Sequence, residues 1–231
     1  MVKYTVEHSW ITYRWTFDTI LLGLPVPGTP AFSTLCRELR PYGISPTEIS
    51  LETPSAFLSD VLYRITLLDR RVILRISYSG FEMLVDPLIQ GDEELLVKIL
   101  DSVFSVLGEI DANVNSGKAE VTLYSHMTLL TTEVDTFLRK HLPETNTESN
   151  LIPEAFGYSI KPSDTSDMSE ARLVILKSER YNNAIFVNFS FTYIASEKPA
   201  QTSERVSRDS ERALALIGLN QSQIGKEENP L

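Results

Sequence analysis

The 231-residue sequence has one cysteine, Cys36, and three histidines, His8, His126 and His141. A single thiol excludes an internal disulfide framework and a cysteine-built metal cluster, and three scattered imidazoles leave little material for a histidine site. No metal or cofactor is therefore expected. Cys36 lies beside an apolar helical stripe, so an inert buried thiol is the expectation. Basic residues are also scarce: 21 Lys and Arg stand against 31 Asp and Glu, a formal charge of −10. General nucleic-acid binding needs clustered cations, which argues against that role.

Long apolar runs are missing. The most apolar stretch, Ile20 to Val26, is broken by Gly23 and Pro25, and it falls far short of the roughly 20 residues of a spanning helix. No basic segment followed by an apolar one opens the chain, so a cytoplasmic protein is expected. Ten glycines are scattered, and neither G-x-x-x-x-G-K-[ST] nor G-x-G-x-x-G occurs. H-E-x-x-H, C-x-x-C and G-x-S-x-G are absent too. These absences lower the expectation of an enzyme without deciding it.

What is present is period-two alternation. Ile11, Tyr13, Trp15 and Phe17 alternate with Trp10, Thr12, Arg14 and Thr16, which predicts a strand with one buried face. Similar runs cover 61–68 and 72–79 around a turn at 69–71, then 119–128, 172–176 and 185–194, with shorter candidates near 49–51, 81–85 and 156–160. Helical spacing is clearest from Leu96 to Ile110, behind Asp92-Glu93-Glu94, whose acids suit a helix start. Thr29-Pro30 predicts the cap of a short helix to Leu39. Further helices are predicted from Val134 and over about 203–217, with a turn at 180–183, polar loops at 144–150 and 162–169, and a flexible tail over 220–231.

The order of elements repeats after about 110 residues. The expectation is an α+β protein with an antiparallel sheet, helices on one face, and two similar β-α-β-β-β-α halves over 1–113 and 114–219. Under this duplication the Ile11 strand matches the Val121 strand, and Val72–Tyr78 matches Ile185–Phe191.

The helix-free face would then carry hydroxyls and a few cations. Arg14, Arg64, Arg75, Tyr124, His126 and Asn188 are the candidate ligand- or partner-binding residues. The arginines suit a carboxylate or phosphate, or cross-strand pairing with Glu7, Glu52 or Glu120, which is the better expectation. Ser125 and His126 are adjacent, but strand neighbours point to opposite faces and cannot form a dyad. Leu21, Leu22, Leu24 and Val26 form an apolar connection that either packs across the core edge or serves as an interaction loop.

Arg71–Tyr78, the helix from Glu93 to Ile110 and Glu120–Tyr124 resemble, in their order, a sporadically distributed family of uncharacterised bacterial proteins of similar length. That resemblance implies a duplicated α+β architecture and no defined activity, and it carries over no functional residue. The chain departs from the family's pattern: Asp92–Leu96 holds no aromatic residue, and Glu120–Thr128 holds neither arginine nor asparagine. Together these readings favour a non-catalytic interaction or regulatory protein with a protein partner or a second copy of itself. The alternatives are a binder of a small anionic ligand and an enzyme centred on His126.

Overall fold

A computed structural model describes residues 2–21, 23–53, 57, 61–141, 154–160, 168–195 and 199–221. The predicted 144–150 loop, most of the 162–169 loop, Leu22 of the apolar connection and residues 222–231 lie outside them.

The elements run β1 (Val2–Phe17), α1 (Pro30–Leu39), β2 (Ile49–Glu52), β3 (Leu62–Leu67), β4 (Val72–Ser77), β5 (Gly80–Val85) and α2 (Glu93–Ile110). They continue with β6 (Gly117–Leu129), α3 (Val134–Arg139), β7 (Ala155–Ile160), β8 (Met168–Lys177), β9 (Ala184–Ala195), α4 (Pro199–Leu216) and β10 (Leu219–Gln221). Nine strands form one antiparallel sheet in the order β2-β3-β4-β5-β1-β6-β9-β8-β7. The short β10 pairs in parallel with the start of β1, Val2 opposite Leu219.

This is the α+β class that the alternation implied. Neither of the expected halves follows the β-α-β-β-β-α order strictly: residues up to 113 carry one more strand before α2, and those after it carry β10 behind α4; the two meet in a single sheet through β1 and β6. One expected equivalence shifts. Val72–Ser77 forms β4, two strands from β1, whereas β9 adjoins β6, so the positional counterpart of β9 is β5. The predicted tail is also shorter, because Asn220 and Gln221 belong to β10.

The helices cover one face. Phe104 of α2 meets Trp15 and Phe81 edge-on, at 4.9 and 5.8 Å between ring centroids. Phe32 of α1 packs near Tyr63, Phe137 of α3 near Phe156, and Asp209 of α4 accepts from Tyr193 Oη. Trp15, Ile65, Leu74, Val103, Val121 and Phe189 are all fully buried in this layer. Leu21 and Leu24 join them, so their apolar surface is covered by the chain's own core, whereas Ile20 and Val26 of the same stretch are exposed. Thr29 caps α1, its hydroxyl accepting from the Phe32 N–H.

Asp92 does not cap α2 through its side chain. Its carboxylate instead accepts from the Ile89 N–H and from Arg71 at 2.5 Å, tying the β3–β4 turn to the helix start. Cys36 is half-buried rather than fully buried, and desolvation pushes its thiol pKa up.

Candidate functional site

The helix-free face is built by the register of the central strands. Trp10 lies opposite Tyr124, Thr12 opposite Thr122 and Arg14 opposite Glu120 across β1 and β6. Glu82 of β5 lies opposite both Arg14 and Arg75, and Arg64 of β3 opposite Arg75. On the other flank, Phe186 and Asn188 of β9 lie opposite His126 and Tyr124. All six candidate binding residues therefore share this face, in two clusters.

The first cluster is ionic. Glu82 is the hub: Arg14 Nη2 donates to it at 2.7 Å, and Arg75 Nη1 donates to its other oxygen. Burial pushes the Glu82 carboxyl pKa up, but the two guanidiniums outweigh it and hold the carboxyl below the usual range. Glu120 adds a further negative charge facing Arg14. Lys118 also reaches Glu120, at 2.9 Å, so three cations meet two anions here. Arg64 pairs with Glu52 at 3.8 Å. Of the expected acidic partners, Glu52 alone among the described residues forms an ion pair with one of these arginines; Glu120 pairs with Lys118, Glu7 accepts from Thr5, and Arg14 and Arg75 share Glu82, which only the β1–β5–β4 register brings between them.

The second cluster is aromatic. Trp10 stacks on Tyr124 at 5.0 Å and 13°, and on Phe186 at 5.7 Å and 25°. His126 sits against Phe186 at 5.0 Å and Tyr181 at 5.2 Å. All five rings are half-buried. A cleft of about 800 Å³ runs beside them, past Trp10, His126 and Phe186 to Ser178 and Arg180. Trp10 and Phe186 are not among the expected site residues, although both are bulky aromatic residues on a strand face otherwise rich in Thr and Ser.

His126 has Ser178, not Ser125, as its hydroxyl partner, with 2.9 Å between Nδ1 and Oγ. The Ser178 oxygen already accepts from the N–H groups of Arg180 and Tyr181, so its own proton points to Nδ1 and the ring carries its proton on Nε2. Desolvation, with smaller contributions from Arg180 and His8, lowers the His126 pKa, leaving a neutral ring at pH 7. Among the described residues no carboxylate hydrogen-bonds to it. The pair orients an aromatic edge and closes the turn before β9. His8, on the same face, approaches Asp86 at 2.9 Å.

No protein-family model matches the chain, and no curated protein matches it. No helix among the described residues is long and apolar enough to cross a membrane.

Proposed function

We propose that the chain is a non-catalytic protein-binding protein whose helix-free sheet face receives a partner. The observation that carries this is the stack of Trp10, Tyr124 and Phe186, half-buried on a face that no helix among the described residues covers. A wet sheet face is ordinarily polar, while aromatic residues concentrate in the centres of protein interfaces. The ion cluster around Glu82 flanks the stack and supplies a polar rim whose arginines are already paired. A small anion held by Arg14, Arg64 and Arg75 is less well supported, because Glu82 and Glu52 already engage these guanidiniums.

A photo-crosslinking amino acid at position 124, used in cells of the native host, tests this reading. A discrete protein adduct is expected from position 124 and not from position 216, where Leu216 is 74% exposed on the helix side. Trp10→Ala should abolish the adduct. An adduct with a second copy of the chain identifies the partner as itself. Absence of adducts, or equal yields from both positions, rejects the reading.

A further inference from the structure

The opposite, helix-covered face contains a cavity of about 270 Å³ between the centre of the sheet and the α2–α4 pair. Ile11 and Leu123, opposite each other on the two central strands, form part of its floor and remain only half-buried. At the middle of a covered sheet such residues are normally sealed by the layer above. Here Leu100 of α2 and Leu214 of α4 stand back from them and line the same space.

Three residues of this lining carry a buried hydroxyl with no hydrogen-bond partner among the described residues: Tyr13 Oη, Ser125 Oγ and Ser210 Oγ. Their residues are only 3%, 2% and 6% exposed. Buried polar groups are almost always partnered, so three orphans around one apolar space point to something that enters it. Their placement has a direction. Tyr13 lies opposite Val121, and Ser125 is four residues further along β6, about 13 Å at strand rise. On the roof, Thr202 of α4 neighbours Tyr13 without reaching good hydrogen-bond geometry. Ser210 lies eight residues further along the helix, about 12 Å. Tyr13 thus marks one end and the two serines the other.

Burial pushes the Tyr13 phenol pKa far up, so it stays a neutral donor. Two exposed acids, Glu93 and Glu211, line the rim and disfavour an anionic head group there. The volume approaches the lower end of ligand pockets, about 300 Å³.

We propose that this cavity binds an uncharged, elongated, mostly apolar small molecule with a hydrogen-bonding group towards each end, one met by Tyr13 and the other by Ser125 and Ser210. The site is separate from the partner face, which lies across the sheet.

Prodan, a neutral naphthalene fluorophore with a ketone at one end and a tertiary amine at the other, is a suitable probe. Titration into the full chain should give saturable one-to-one binding with blue-shifted emission. Ser210→Leu, which fills the cavity, should weaken binding at least tenfold while the thermal unfolding midpoint holds or rises. Tyr13→Phe, which keeps the ring and the packing, should weaken it about threefold or more, so the test survives if Ser210→Leu fails to fold. Trp10→Ala, on the other face, should leave binding unchanged. No saturable binding, which would mean that water alone meets these hydroxyls, overturns the proposal. So does binding that tolerates both cavity variants, or binding lost in Trp10→Ala, which would place the dye on the open face.

Discussion

Single residues in this protein often act between elements rather than within them. Asn183, with φ of 47°, closes the turn before β9, yet its amide nitrogen donates to the carbonyls of Leu129 and Thr132 and its oxygen accepts from the Val134 N–H at the start of α3. Glu82 links three strands in the same way. Its folded-state pKa is depressed, so its contribution is present above the ordinary carboxylate pKa of about 4.3 and is lost as pH falls through the lower folded value. Glu82→Gln is expected to destabilise the protein by about 1 kcal/mol at pH 7, a discounted figure because both arginines are substantially exposed. The difference should shrink as pH falls below the ordinary carboxylate range and wild-type Glu82 takes up a proton. Urea unfolding of both proteins from pH 7 downwards checks this, and a gap that does not change with pH would refute the linkage.

At the scale of elements, β1 organises the molecule. Gly80 and Gly117 flank its end from either side, opposite Thr16 and Phe17. A Cβ on Gly117 would come within 2.3 Å of the Thr16 carbonyl oxygen, and one on Gly80 within 2.4 Å of the Trp15 oxygen. Gly117→Ala is therefore expected to cost about 1–3 kcal/mol, readable as a lowered urea midpoint; an unchanged midpoint would show that the seam can open without penalty.

The same strand shows where the sequence was legible and where it was not. Its 10–17 segment, like β4, β6 and β9, follows period two and was visible. Residues 2–9 were not, because the register shifts between Val6 and His8. That irregularity puts Tyr4 and Val6 on the same side as Ser9, Ile11 and Tyr13, all of them in the cavity lining, and breaks the alternation on which a strand is recognised. Helix α2 was visible because its apolar stripe is long; the first turn of α4, Pro199–Thr202, was not, since α4 is polar on average. All six candidate residues of the open face followed from alternation, whereas Glu82 and Ser178 depend on strand pairing and turn geometry that a linear pattern does not contain.

At the scale of the whole molecule, the first five strands and the rest of the sheet are joined along the β1–β6 seam, whose ladder runs from Tyr4–Leu129 to Phe17–Gly117. The seam is reinforced where the Trp15 indole N–H donates to the Val114 carbonyl at 3.2 Å. Segments 1–113 and 114–231, produced separately, are each expected to be poorly folded and to recover a cooperative melting transition when mixed. If 1–113 alone melts cooperatively as a monomer and ignores its counterpart, the seam does not hold the halves together as described.

The long reach of that seam also sets a timetable. About 100 residues separate Phe17 from Gly117, and synthesis proceeds at about 5–20 residues per second. For some 5–20 seconds on the ribosome the edge of β1 destined for β6 stays open, and β5 can cover its other edge only in about the last third of that interval. An unpaired edge of this length invites foreign strands, so the first half is most exposed to aggregation and to chaperone capture in the interval before β6 emerges.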